Sequence, residues 1–313
     1  MRRYSLINSI VVVLLFFVAA LQLFVQMGFP ETPLEWSILT DIRLPRLLLG
    51  LIAGFILAIT GAVFQTMFNN PLADSFSLGI ASGASFGSAL GVVLGLSLTM
   101  TALASIVSSL STLVVVILLT YQLFHAHQKT GMVLFGMFIN FFFSSALYGL
   151  VILRPDESRS LLNYLFGSVG SAEWQDIIIL IPVILIGTGF LLYHARAIAI
   201  MSTGETIARS LGISTTTLMY MILTVASIMT AVLISMTGII GFVGLIVPQL
   251  YRTMNDRFTV KLLWTGVVGS LAVIMSDFLG NIILSPVQIP VSVILAFLGL
   301  PLLLVITIRT VRK

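Results

Sequence analysis

Apolar stretches about twenty residues long recur from one end of this chain to the other, and that repetition restricts its fold more than any single motif. A hydrocarbon layer about 30 Å thick takes an α-helix of about 20 residues to cross, and within it every backbone N–H and C=O must be satisfied inside the protein. Runs bounded by polar residues, Pro or Gly predict helices near residues 7–28, 46–67, 76–97, 100–124, 131–153, 176–195, 217–238, 240–252, 262–284 and 290–308. The expected fold class is all-α: a polytopic membrane protein of about ten transmembrane helices, forming one domain over 1–313. Only 8% of the residues are charged, against about 25% in soluble domains, so water is not the main solvent. Residues 1–29 open on Arg2 and Arg3, run apolar for about 20 residues and show no small-residue cleavage site, which reads as a first anchor and not as a secretory signal.

Charge then orients the bundle. With the N-terminus in the cytosol, Arg2, Arg3, Lys129, Arg196, Arg209, Arg252, Arg257, Lys261, Arg309, Arg312 and Lys313 fall inside, and only Arg43, Arg46, Arg154 and Arg159 fall outside. That bias is the positive-inside pattern and places both termini in the cytosol. Glu31, Glu35, Asp41, Asp156, Glu157, Glu173 and Asp176 fall on the outer side. The sequence pI near 9.6 is therefore a property of the cytosolic face and of its contact with membrane lipid, with no nucleic acid implied.

Several chemistries are excluded. The chain has no cysteine, so it has no thiol nucleophile, thiolate metal site or disulfide. A phosphate-cradling loop needs a lysine preceded by glycine, and none of Lys129, Lys261 and Lys313 is so preceded, so the chain carries no ATPase site. His125 and His127 lie on different helix faces with no third ligand nearby, and His194 sits beside Arg196 at a cytosolic helix end. Neither catalysis nor any metal or cofactor is expected.

Four features call for a role. Gly50, Gly54, Ala58 and Gly61 form one small-residue stripe, and Gly79, Gly83, Gly87, Gly91 and Gly95 another, which suits close helix packing and is also compatible with lining a conduit. Asp277 falls inside the ninth predicted helix, where a carboxylate costs about 2.5–3.5 kcal/mol to insert. Structural pairing, a place on the conduit or gate, and a proton relay in an ion-gradient-driven secondary transporter all remain open for it. Arg43 and Arg46, flanking Pro45, have a spacing that puts both guanidiniums on roughly one outer face, for interfacial snorkelling or for docking an acidic partner. The cytosolic segment 202–217 reads as a short helix: Ser202 and Glu205 have capping-box spacing, Gly212 suits a stop, and Ile207, Ala208 and Leu211 share a face, either resting on the bundle or receiving a partner.

The order of motifs resembles one family along nearly the whole chain. DIRLPRLLLGLIAGFILAITGAVFQTMFNNPLADSFSLGIASGASFG at 41–87, GETIARSLGIS at 204–214 and GIIGFVGLIVPQLYR at 238–252 are similar, in order, to the permease subunits of ABC importers for ferric siderophores, haem and cobalamin. The resemblance implies a bacterial inner-membrane subunit working with a second permease subunit, identical or different, two cytosolic ATPase subunits and an external substrate-binding protein. It assigns Gly204, Glu205, Ala208, Leu211 and Gly212 to the ATPase-coupling loop and Arg43 and Arg46 to binding-protein docking. Gln65, Asn69, Asn70 and Pro71, with Asp277, become candidates for conduit or gate. Three positions depart from the family pattern: Gln249 replaces a histidine, Asn281 a basic residue and Ser292 a glycine.

Overall fold

The computed structural model describes residues 2–25, 28–124, 128–251, 257–285 and 287–311. Among these every regular element is helical. The chain runs through α1 (Arg2–Phe24), α2 (Pro33–Ile38), α3 (Leu44–Phe68), α4 (Ile80–Val93), α5 (Leu98–Leu123), α6 (Gln128–Leu153) and α7 (Ser158–Phe166). It continues through α8 (Trp174–Tyr193), α9 (Ala195–Met201), α10 (Glu205–Ser210), α11 (Thr215–Thr237), α12 (Val243–Tyr251), α13 (Phe258–Ile282) and α14 (Val291–Val311). Seven helical stretches among the described residues are long and apolar enough to cross a membrane, and 80–93 and 291–305 are shorter apolar helices. His125 and His127 lie outside the described residues.

α3 is the axis of the molecule. Its most apolar window is 72% buried, against 6% for α1 at the periphery. The expected packing role of the glycine stripes is visible here. A Cβ on Gly54 would collide with the backbone of Gly269 in α13, and one on Gly61 with the backbone of Gly244 in α12. On α4, Gly83, Gly87 and Gly91 lie against Thr112, Ala104 and Thr101 of α5 in the same way. Lipid gives no hydrophobic drive between helices, so close backbone approach with dense van der Waals contact holds them together.

Three expected boundaries move, each for a local reason. Thr32 and Glu35 form a capping box over Pro33, so α2 begins there and runs through a π-helical turn at Leu39–Arg43 into α3. The resulting 36-residue stretch is about 54 Å long at 1.5 Å per residue, longer than a hydrocarbon layer about 30 Å thick. The third expected helix, 76–97, shrinks to α4. Asp74 and Ser77 cap each other, with Asp74 N donating to Ser77 Oγ at 2.8 Å and Ser77 N to Asp74 Oδ1 at 2.7 Å. Gly79 at φ +73 and Gly95 at φ +66 then close the two ends of α4. The eighth, 240–252, shortens to the nine-residue α12, because Gly238 (φ 67) and Phe242 (φ 72) break the chain after α11.

That break carries backbone groups without helical partners into the bundle, and three of them are met from one neighbourhood. Ser168 N donates to Thr237 O at 2.7 Å, Ile239 N to Tyr164 O at 3.1 Å, and Ser292 Oγ to Ile239 O at 3.2 Å and to Phe166 O. The C-terminal end of α7 thus replaces the missing helical partners, as irregular backbone at membrane depth requires. Ser292, one of the departures from the family pattern, supplies a hydroxyl that glycine lacks. Positive φ at a bulky residue such as Phe242 costs on the order of 1–3 kcal/mol and persists only where packing enforces it.

Candidate functional site

The segment 202–217 forms the helix expected of it, with different details. α10 starts after Gly204 (φ 137), which makes no side-chain cap. Ser202 does not cap Glu205; its hydroxyl donates back to Ala199 O at 2.6 Å, ending α9. Gly212 (φ 80) does stop the helix, with Gly212 N bonded to Arg209 O at 3.0 Å and Ile213 N to Ala208 O at 3.0 Å, the left-handed closure that glycine makes without steric cost. The expected shared face splits. Ala208 is 0% exposed and wedged into the bundle, while Ile207 and Leu211 are 50% and 62% exposed. Arg209 reaches Glu205 at 3.8 Å and donates through Nε to Thr215 Oγ1 at 3.1 Å, tying α10 to the first turn of α11.

At the C-terminal end of α3 the structure brings together most of the remaining conduit candidates. Asn69 adopts a left-handed φ of 48 and closes the helix, a conformation that asparagine tolerates better than most residues. Asn70 Oδ1 accepts from Leu72 N at 3.0 Å, turning the chain at Pro71. Gln65 Nε2 crosses to α12 and donates to Gly244 O and Leu245 O, each at 3.0 Å. Gln249 Nε2 closes the group on Gln65 Oε1 at 2.6 Å and Pro71 O at 3.1 Å. The glutamine that departs from the family pattern is therefore a structural link between α12, α3 and the loop after it. A cavity of about 490 Å³ adjoins these residues, and Ser202, Phe258, Lys261 and Thr265 complete its polar and apolar wall. No group of three or more His, Asp or Glu suited to a metal occurs among the described residues.

Asp277 lies toward the opposite end of α3, apart from this cluster. Its carboxylate is 0% exposed and accepts from Arg46 through Nε (2.8 Å) and Nη2 (2.7 Å), a bidentate pair, with the Arg46 side chain 14% exposed. Gln22 Nε2 of α1 adds a bond at 2.7 Å, and Gln288 Nε2 from the loop between α13 and α14 approaches at 3.4 Å. Of the roles open to Asp277, this is the geometry of structural pairing. Arg43 Nη1 donates to Val25 O at 3.0 Å and to Leu23 O. Both guanidiniums are bonded within the chain. The physical reason is the buried carboxylate of Asp277 and the carbonyls of Leu23 and Val25 at the end of α1, which draw the nearest cations. Asn281 is exposed at the end of α13.

Sequence reasoning missed Gln22, Gln288 and Asp74. Nothing in a linear pattern announces a glutamine that meets an aspartate 255 positions away. The start of α2, also missed, does carry a local signal, a capping box of Thr32 and Glu35 with Pro33 in the first turn.

The profile of the FecCD transport family matches residues 6–309. Over 291 residues the chain is 31% identical to the ABC transporter permease protein YvrB of Bacillus subtilis, covering 90% of this chain and 82% of that one. It is 31% identical over 281 residues to the cobalamin import system permease protein BtuC of Halobacterium salinarum, covering 89% and 75%. It is 29% identical over 268 residues to the Fe(3+) dicitrate transport system permease protein FecD of Escherichia coli, covering 85% and 84%. Among solved structures, an inward-facing conformation of a metal-chelate type ABC transporter superposes with a TM-score of 0.87 at 26% identity, over 98% of this chain and 100% of that one. With a helical membrane bundle, a family profile spanning nearly the full length and relatives aligned end to end, the chain belongs to the FecCD transport family and is a multi-pass membrane permease of an ABC importer.

Proposed function

We propose that this permease forms the translocation pathway for an iron chelate, with ferric siderophore the first candidate and haem or cobalamin next. Two ATPase subunits act on its cytosolic face, a substrate-binding protein delivers cargo outside, and a second permease subunit completes the conduit. The observation that carries the reading is α10: a short helix whose Ala208 is locked into the bundle while Ile207 and Leu211 project outward. Such an element transmits force because one side is fixed and the other offers an apolar grip, joined to α11 by the Arg209 to Thr215 bond. The charge asymmetry along the sequence supports cytosolic termini and a cytosolic α10. The printed names of the relatives, iron dicitrate and cobalamin, support a chelate as cargo without choosing one.

ATP binding closes the ATPases, α10 moves with them, and the bundle changes which side is open. Asp277 is neutralised in place by Arg46, which favours this ATP-driven reading over one that uses it as a proton relay. The test is uptake of ferric siderophore, haem and cobalamin into proteoliposomes holding the permease with its ATPases and binding protein. ATP-dependent accumulation of the ferric siderophore is expected. Accumulation by the permease alone, under an ion gradient and without ATP, overturns the proposal.

A further inference from the structure

Pro248 lies inside α12. A proline there has no N–H for the carbonyl four residues back, which is that of Gly244. Gly244 is buried, and an unpaired carbonyl in such a place is costly. It is nevertheless satisfied, because Gln65 Nε2 donates to Gly244 O at 3.0 Å and, bifurcated, to Leu245 O at 3.0 Å. The crossing of Gly61 over Gly244 brings the two helices close enough for this reach. The same Gln65 accepts from Gln249 through Oε1 at 2.6 Å, and Gln249 holds Pro71 O at 3.1 Å. One α3 side chain therefore replaces the hydrogen bond that the proline removes and fastens the C-terminal half of α12 to the loop after α3.

Two further observations bear on motion. α12 starts immediately after Phe242, held at φ 72, a conformation that is stored where a chain must change direction. The cavity of about 490 Å³ lies along the stapled side of α12, with Pro248 and Gln249 on one wall and Phe258, Lys261 and Thr265 of α13 on another. A short helix with a strained start, an interior proline and a side-chain bond in place of a backbone bond has the parts of a pivot.

We propose that Gln65 is a positioning residue for transport, whose amide stands in for the missing N–H of Pro248 so that α12 can pivot there and open or close the adjoining cavity during turnover. A bond from another helix can be exchanged for water as the helices shift, whereas an i to i−4 backbone bond would hold α12 straight. The proposal rests on the permease reading above, and wild-type uptake serves as the control: absence of ATP-driven uptake by the wild type counts against that reading and not against the pivot.

The experiment compares Gln65→Leu, Pro248→Ala and the double variant, each in the full transporter with its ATPases and binding protein. Leucine keeps the bulk of Gln65 without its donor, and alanine at 248 returns the backbone amide. Gln65→Leu is expected to lower the melting temperature and to cut uptake at least about tenfold. Adding Pro248→Ala restores the melting temperature, since the returned amide now bonds Gly244 O, but leaves uptake at least about tenfold down while ATP hydrolysis continues. A melting temperature that stays low in the double variant overturns the staple, and uptake that recovers to near wild type overturns the pivot. If Gln65→Leu does not assemble, Pro248→Ala alone decides: unchanged melting with strongly reduced uptake supports the pivot, and unchanged uptake refutes it.

Discussion

Removing one partner of the Arg46 and Asp277 pair should damage the protein far more than removing both. The carboxylate is 0% exposed and receives two guanidinium bonds at 2.7 and 2.8 Å. Arg46→Met leaves it with Gln22 at 2.7 Å and the longer Gln288 contact at 3.4 Å, neither of which carries charge. Breaking a buried pair in this way costs about 3–5 kcal/mol, which is about two to four orders of magnitude in the folding equilibrium. Asp277→Leu should cost less, about 1–3 kcal/mol, because Arg46 sits at the start of α3 and its long side chain can swing its head toward the aqueous layer. Arg46→Met combined with Asp277→Leu removes both charges and should return to within about 1 kcal/mol of the wild type, since apolar replacements of buried pairs are often neutral. Unfolding of the four proteins in detergent, taken as a double-mutant cycle, reads the coupling directly. Additivity of the single effects within about 0.5 kcal/mol would show that the bidentate geometry contributes no pairing energy, and the account of this site would fail. Loosening of α1 should accompany Asp277→Leu, because that variant removes the carboxylate through which Gln22 joins this sparsely buried helix to α13.

Gly212→Pro or Glu205→Arg should leave the protein inserted while ATP hydrolysis no longer drives uptake; unchanged uptake by both would remove α10 from the coupling path. Gly54→Ala, whose Cβ meets the backbone of Gly269, should lower stability by about 1–3 kcal/mol, whereas Gly189→Ala, with open space around it, should be neutral or slightly stabilising; a melting comparison decides. Burial pushes the Asp74 carboxyl up to about 6 against the hydrogen bonds from Ser77 and Phe76 that lower it. The folded state then binds more protons than the unfolded one between its ordinary value and 6, so stability falls as pH rises through that window, by on the order of 3 kcal/mol. Asp74→Asn keeps an oxygen for the Ser77 N–H and should flatten the profile between about pH 4 and about pH 6; an unchanged slope would locate the titration elsewhere.

The linear pattern carried the membrane class, the approximate number of crossings, the packing role of the glycine stripes, the position of α10 and its stop at Gly212, because each depends on residues within a turn or two of one another. Apolar run length, small-residue spacing and left-handed glycine closure are local physics. It did not carry the splitting of Ile207 and Leu211 from Ala208, since which side of a six-residue helix is covered depends on the neighbours that α9 and α11 provide. The bonding of Arg43 and Arg46 within the chain depends likewise on α13 and the end of α1, which lie far along the chain. Nor could a sequence show that Gln65 completes the helix that Pro248 interrupts. Periodicity reports which face of a helix is apolar, but a hydrogen bond between helices needs their separation and rotation, and these follow only when all the helices are packed at once.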